Sequence, residues 1–247
     1  MKAVGVIPAR LASTRFPSKL LHIIAGKPLL HWVVESSLKA TSLSSVIVAT
    51  DSEEIKNSLK KFPVNIVMTD SNLSSGSDRV WAAVKNSLED IIVNIQGDEA
   101  LLEPGHIDLA VKTLLNKTLT NNLAVSTLAC NLPRGEENNL NAVKVICDHK
   151  DRAIYFSRYP VPYSRAIRKK DDVSLQHIGL YAYTRDALKL FCSKPPVSLE
   201  QSESLEQLRL IYWGVPIYVK KIEQQLIGVD SIEDAKKVEA MLLKKEN

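Results

Sequence analysis

Four short runs rich in valine and isoleucine, each separated from the next by a stretch of helical spacing, limit this chain more than any other feature. They are AVGVI (3–7), SVIVAT (45–50), NIVM (65–68) and DIIVNI (90–95). Runs that are apolar at nearly every position suit strands buried on both faces of a sheet. Between them, LLHWVVESSLKA follows Pro28, and SEEIKNSLKKF begins at Ser52, a cap followed by acids. SDRVWAAVKNSLE begins at Ser77, the expected cap of a third helix. This alternation predicts an α/β fold of βαβ units, a parallel sheet with helices on both faces. Such sheets bind ligands at the carboxyl ends of their strands, which singles out residues 8–19, 50–52, 69–79 and 96–104.

After about residue 120 the pattern loosens. LAVSTLA, NAVKVIC, LQHIGLYAYT and PIYVKKI read as strands, and RAIYFSR as a short strand before a Pro-rich basic loop. SLEQSESLEQLRLIYWG reads as one helix, with Ser198 or Ser202 near its start and Gly214 after its end. SIEDAKKVEAMLLKK reads as a final helix capped by Ser231. No tract has the composition of a long flexible linker. The 247 residues therefore read as one large domain, or a domain with a lobe. The three cysteines are odd in number and far apart, which argues for reduced thiols and against a disulfide framework or zinc site. No apolar stretch approaches the roughly 20 residues of a membrane span. The expected location is the cytoplasm.

The net charge of +4 is unevenly placed. Five of the 32 Lys and Arg lie in residues 1–34, where there is no acid; the rest of the chain holds 27 basic against 28 acidic residues. A local excess of this kind points to an anion site and away from a nucleic-acid surface. The loop IPARLASTRFPSK holds Arg10, Arg15 and Lys19, with Ser13 and Thr14 beside them. Arginine presents a planar fork to phosphate oxygens and lysine a point charge. In NIQGDEALLEP, Asp98 follows a strand and Gly97. A hard carboxylate there suits Mg²⁺, which takes one or two carboxylates plus substrate phosphates, and equally suits a turn before the next helix. Asp230, in IGVDSIEDA, is either a second metal ligand or a plain turn residue. The SSGSDR turn offers either phosphate-binding N–H groups or ordinary capping. Further on, Arg158 suits a substrate carboxylate, and Glu206 and Gln207 suit sugar hydroxyls; His177 and Tyr181 share a strand.

Taken together, IPARLASTRFPSKLL, VATDSEEI, SSGSDR, VNIQGDEALL, AVKVICD, YFSR, HIGLYAY, LEQLR and GVDSIEDAKKVE follow one another over nearly the whole chain. In this order they resemble the 3-deoxy-manno-octulosonate (Kdo) cytidylyltransferases, the CMP-Kdo synthetases of lipopolysaccharide biosynthesis. The resemblance implies a Rossmann-like, mostly parallel sheet of the nucleotide-diphospho-sugar transferase type, with a smaller α+β dimerisation lobe. The nucleotide-binding core would cover about residues 1–120 plus the C-terminal segment, and the sugar-binding and dimerisation part about 121–215. It implies CTP and Kdo as substrates, Mg²⁺ as cofactor, CMP-Kdo and pyrophosphate as products, and a homodimer without nucleic-acid or membrane partners. Arg10, Ser13, Arg15 and Lys19 would hold the triphosphate. Ser75, Gly76, Arg79 and Gln96 would lie near cytosine and ribose. Asp98 and Asp230 would ligate Mg²⁺, while Arg158, His177, Tyr181, Glu206 and Gln207 would surround the sugar acid. Rivals are CMP transfer to 8-amino-8-deoxy-Kdo or a sialic acid, and an inactive nucleotide-binding scaffold. The family loop usually reads PGKPL where this chain has PSKLL, so Ser18 replaces glycine and Leu20 replaces proline. If position 18 needs a positive φ, serine carries strain of about 1 kcal/mol or more there.

Overall fold

The computed structural model describes residues 1–11, 16–118, 122–163 and 174–245. In chain order the elements begin with β1 (Ala3–Ala9), β2 (Ile23–Ile24), β3 (Lys27–Pro28), α1 (Leu29–Lys39), β4 (Leu43–Thr50), α2 (Glu53–Ser58) and β5 (Asn65–Met68). There follow α3 (Gly76–Val84), β6 (Ile91–Ile95), α4 (Pro104–Thr118), β7 (Val125–Asn131), β8 (Lys144–Cys147), β9 (Ala153–Ser157) and β10 (Leu175–Thr184). The last are α5 (Arg185–Ser193), α6 (Ser198–Glu203), α7 (Leu208–Tyr212), β11 (Ile217–Lys221) and α8 (Ile232–Lys245). A 3-10 turn, Lys19–Leu21, lies between β1 and β2. Met1–Val111 and Leu226–Asn247 form one unit, and Lys112–Gln225 a second. Among the described residues no helix is long and apolar enough to cross a membrane.

In the first unit the four Val/Ile-rich runs become β6, β1, β4 and β5, adjacent in that order and all parallel. The central strands are buried on both faces: Val4, Val6 and Ile7 of β1, and Ile91, Ile92, Val93 and Ile95 of β6, have almost no exposed surface. β5 departs from the expectation for NIVM: it is the edge strand, none of its residues is buried and Met68 is exposed. Helix α1 buries Leu29, Leu30, Val33 and Val34, one stripe at helical spacing, and α8 buries Ala235, Val238 and Leu242. The register pairs Ala9 with Thr50 and Thr50 with Met68, so β1, β4 and β5 end level. Everything that leaves those ends, residues 10, 51 and 69 onward, is delivered to one edge of the sheet.

The second unit has a different character. β7 runs parallel to β11 and antiparallel to β10, and β8 pairs antiparallel with both β10 and β9. The ladder between β10 and β7 slips between Ile178 and Tyr181, which leaves Gly179 and Leu180 as a bulge.

The helix expected over 198–214 is two helices. Ser204 takes a left-handed conformation, φ 52° and ψ 47°, and ends α6. The sequence has no glycine at this break, so local pattern gave no sign of it. Helix α3 is capped by Ser75 rather than Ser77: the Ser75 hydroxyl accepts the Asp78 N–H at 3.1 Å, and Ser77 is buried inside the helix. Helices α4 and α5 lie outside the segments that the sequence pattern assigned.

Ser18, the N-cap of the 3-10 turn, has φ 53° and ψ 26°. The glycine-to-serine departure therefore falls where glycine is favoured. The side chain makes no capping hydrogen bond that would offset the cost. Ser18→Gly is expected to raise stability by about 0.5–1 kcal/mol, the left-handed penalty less the extra unfolded-state entropy of glycine. Urea unfolding at neutral pH measures it, and an unchanged or lower midpoint would show that serine is not strained there.

Candidate active site

Four sheet-edge turns, after β1, β4, β5 and β6, carry the polar groups of the first unit. Arg10 stands exposed one residue past β1. Ser13 and Arg15 lie outside the described residues. Arg79 is buried, 3% exposed, and its guanidinium is already engaged: Nη2 donates to Asp51 Oδ2 at 2.9 Å and Nη1 to Thr69 Oγ1. Asp51 and Thr69 are the residues that follow β4 and β5, so Arg79 ties the start of α3 to both turns. Ser75 and Gly76 lie at that helix start. Gln96 follows β6, its amide 3.5 Å from Asn94 Oδ1.

The centre of the first unit's site is a cation between two carboxylates. Lys19 Nζ lies 2.6 Å from Asp98 Oδ2 and 3.2 Å from Asp230 Oδ1, with the lysine side chain 13% exposed. Burial acts to lower the Lys19 pKa, but the two neighbouring carboxylates outweigh it and hold the ammonium above its ordinary value. Local packing explains the meeting. A Cβ on Gly97 would stand 3.2 Å from Leu20 Cδ2, so glycine lets the 96–98 loop lie close against the 3-10 turn that bears Lys19. On the other side, Val229 N–H donates to the Asp98 carbonyl at 3.1 Å and sets Asp230 beside Asp98. Asp230 is steadied in turn by the cap of α8. Asp234 Oδ2 accepts from the N–H groups of Asp230 and Ser231, and Ser231 Oγ accepts the Asp234 N–H.

Among the described residues there is no cluster of three or more His, Cys, Asp or Glu arranged around one metal position. The donor set is two carboxylates whose oxygens already converge on a single cationic group. That fits a hard divalent ion completed by water and phosphate oxygens, and does not fit a metal caged wholly by protein. In the sequence Lys19 belongs to the cationic loop and the aspartates to two distant turns; the folded chain brings the lysine between them.

In the second unit, His177 and Tyr181 come together across the bulge. Four residues of uninterrupted strand would separate them by about 13 Å. Their ring centroids are 5.1 Å apart, and Phe156 meets His177 edge-on at 5.1 Å. The His177 residue is half-buried, yet its ring lies among these side chains, and burial drives the imidazole down to about 3. It is neutral at pH 7. Its Nε2 lies 3.0 Å from Thr127 Oγ1, and that hydroxyl also lies 2.7 Å from the Leu180 carbonyl, which can only accept. This network assigns the Thr127 proton to Leu180 and the imidazole proton to Nε2, leaving Nδ1 as an acceptor. Burial, then Tyr183 and Glu206, raise the Tyr181 phenol well above its usual range, so it is a neutral donor. Gln207 is buried at the start of α7 beside half-buried Glu206.

The Arg158 guanidinium is spent largely on main-chain carbonyls: Nε on Glu203 at 2.7 Å, Nη1 on Leu140 at 2.9 Å and Nη2 on Ser204 at 3.2 Å. Arg209, the last residue of LEQLR, is structural. It makes a buried two-pronged pair with Glu200, at 2.5 and 2.6 Å, and ties the two halves of the broken helix together. Neither Glu200 nor the pairing was signalled by spacing, because the residues are nine apart on different helices.

The sequence profile of the cytidylyltransferase family matches residues 4–222. A 3-deoxy-manno-octulosonate cytidylyltransferase of Bdellovibrio bacteriovorus is 46% identical over 98% of both chains. One of Koribacter versatilis is 43% identical over 98% of this chain and 90% of its own length. Among solved structures, a CMP:2-keto-3-deoxy-manno-octonic acid synthetase complexed with CTP superposes with a TM-score of 0.91 at 34% identity, covering 99% of this chain and 100% of that one.

Two electrostatic consequences can be measured. Lys19→Met is expected to lower stability by about 1–2 kcal/mol at neutral pH, a value reduced because both carboxylates reach solvent. Since the native Lys19 pKa is raised, its contribution is complete below the unfolded value of 10.5 and is lost as pH rises through the native one. Unfolding of both proteins across alkaline pH should show their difference shrinking only there; equal stability at pH 7 would refute the pairing. For His177 the sign is opposite. Between about 3 and 6.5 the unfolded state holds the proton and the native state does not, so native stability falls on acidification through that window. His177→Phe should show a shallower acid slope in the same titration, and an unchanged slope would mean that the ring is not the titrating group.

Proposed function

The chain belongs to the 3-deoxy-manno-octulosonate cytidylyltransferase family, and from that premise we propose that it transfers CMP from CTP to the anomeric hydroxyl of Kdo. The products are CMP-Kdo and pyrophosphate, and the place in metabolism is lipopolysaccharide biosynthesis. The observation that carries the reading is the convergence of Lys19, Asp98 and Asp230 beside the sheet edge, a charge arrangement suited to a polyphosphate and a divalent cation.

The C2 hydroxyl oxygen of the sugar attacks the α-phosphorus. A new O–P bond forms, the bond from the α-phosphorus to the bridging oxygen breaks, and its electron pair leaves with pyrophosphate. The hydroxyl proton passes to solvent. Two anions must approach for this, and each pair of unit charges at 4 Å costs about 4 kcal/mol at an effective dielectric near 20. Arg10, Arg15 and Lys19, with Ser13, offset that repulsion at the triphosphate and then neutralise charge growing on the leaving group. Asp98 and Asp230 would hold Mg²⁺, whose chemistry there is to neutralise phosphate charge and lower the pKa of the attacking hydroxyl.

Ser75, Gly76 and Gln96 serve the nucleoside. Arg79, tied to Asp51 and Thr69, anchors the start of the helix on which Ser75 and Gly76 stand. For the sugar acid, His177 accepts a hydroxyl at Nδ1, Tyr181 donates, and Glu206 and Gln207 take further hydroxyls. Arg158, with two of its five N–H groups beyond the three bonded to carbonyls, faces the carboxylate. The enzyme works as a cytoplasmic homodimer.

Pyrophosphate release, with CTP and UTP crossed against Kdo, 8-amino-8-deoxy-Kdo and a sialic acid at varied Mg²⁺, tests the reading. Turnover is expected with CTP and Kdo and should need the metal; release only with another acceptor would reassign the sugar, and none at all would favour a scaffold. Asp98→Asn is expected to cut kcat at least about a hundredfold while the protein stays folded. Near-normal turnover in that variant would sink the two-aspartate site.

A further inference from the structure

Arg158 and Glu203 hold each other from both sides. The Glu203 carboxylate accepts the Arg158 main-chain N–H at 2.8 Å on Oε2, and on Oε1 it accepts the Ser157 hydroxyl at 2.8 Å and, more weakly, the Tyr155 hydroxyl at 3.5 Å. In return the Arg158 guanidinium donates to the carbonyls of Glu203 and Ser204. A third group completes the arrangement. Lys144, whose side chain is fully buried, donates through Nζ to the Arg158 carbonyl at 2.7 Å and to the Asn139 carbonyl at 2.6 Å.

The place of this clasp gives it a consequence. Glu203 is the last residue of α6, and Ser204 follows in the left-handed conformation that redirects the chain into α7. A non-glycine residue in that conformation costs about 1 kcal/mol or more. The sequence SLEQSESLEQLR, with neither glycine nor proline, favours an uninterrupted helix. Something outside the segment must therefore hold the break open, and the carbonyls that the break releases are the ones Arg158 takes. Two and three residues after Ser204 come Glu206 and Gln207. An uninterrupted helix would rotate them by about 100° per residue onto other faces.

We propose that Glu203 is a positioning residue for the acceptor site: by clasping Arg158 it fixes the left-handed turn at Ser204 and so sets the orientation of Glu206 and Gln207. This rests on the proposed function, because those two residues matter as sugar ligands only there. Glu203→Ala removes the carboxylate and leaves the main-chain carbonyl. Glu203→Gln keeps an oxygen for the Arg158 N–H and offers an amide to the Ser157 hydroxyl, which can turn to accept.

Steady-state kinetics of pyrophosphate release separate this role from general support. Glu203→Ala should raise the KM for Kdo about tenfold, with the KM for CTP within about twofold of wild type, and Glu203→Gln should restore most of the loss. An equal rise in both KM values, or an unchanged Kdo KM, would overturn the assignment. Should Glu203→Ala not fold, Ser157→Ala removes one donor and should raise the Kdo KM alone about threefold; no change there would count equally against it. Hydrogen exchange of amides 204–208 gives a readout independent of catalysis. Exchange should quicken in Glu203→Ala or Ser157→Ala and stay near wild type in Glu203→Gln, and equal protection in all would refute the clasp. Wild-type protein that releases no pyrophosphate with any acceptor would instead sink the proposed function, and the exchange data would still decide the role of Glu203 at the turn.

Discussion

Lys19 is 211 positions from Asp230 in sequence, and one ammonium group joins them. Two carboxylates brought so near each other repel, and a cation between them converts that repulsion into attraction. The rest of the first unit serves this arrangement. The level ends of the parallel strands set the edge at which the turns meet, Gly97 lets the Asp98 loop approach Leu20, and the Val229 N–H sets the C-terminal segment beside Asp98. A site built this way keeps the two carboxylates gathered around one ammonium group.

Three arginines among the described residues act as structural ties. Arg79 joins two strand-end turns through Asp51 and Thr69, Arg209 closes a buried pair with Glu200 across the helix break, and Arg158 collects three carbonyls. Each lies in a motif that invites a reading as a ligand contact. The physical reason is the guanidinium itself: five donors in a rigid plane can satisfy several acceptors at once, and its charge does not titrate away. A buried carbonyl or carboxylate at a broken helix or a strand end needs such a partner.

In the second unit irregularity places the candidate site residues. A regular β10 would keep His177 and Tyr181 apart, and a regular helix through 198–214 would turn Glu206 and Gln207 elsewhere. The bulge at Gly179–Leu180 and the left-handed Ser204 move these side chains from where periodicity would put them. Gly179 was a visible hint of the first, since glycine inside a strand often marks a bulge. Ser204 offered none, because its carbonyl is held by Arg158, and Arg158 is held in turn by Glu203, Lys144 and the Leu140 carbonyl, all but Glu203 far off in sequence.

What the sequence determined by itself is whatever depends on neighbours in the chain. The Val/Ile runs specified β1, β4, β5 and β6 as a parallel sheet, Ser52 and Ser231 marked their helices, and the order of the motifs identified the family. The departure at Ser18 was legible as a departure, but its positive φ, and with it the strain, came from the folded chain. Tertiary structure decided the rest: that Lys19 lies between Asp98 and Asp230, that Ser75 and not Ser77 caps α3, that Arg79 and Arg209 are internal ties, and that the helix breaks at Ser204. These are contacts between distant segments, and a hydrogen bond or ion pair falls off within a few ångströms. Sequence spacing measures distance along the chain, whereas such interactions respond only to distance in space.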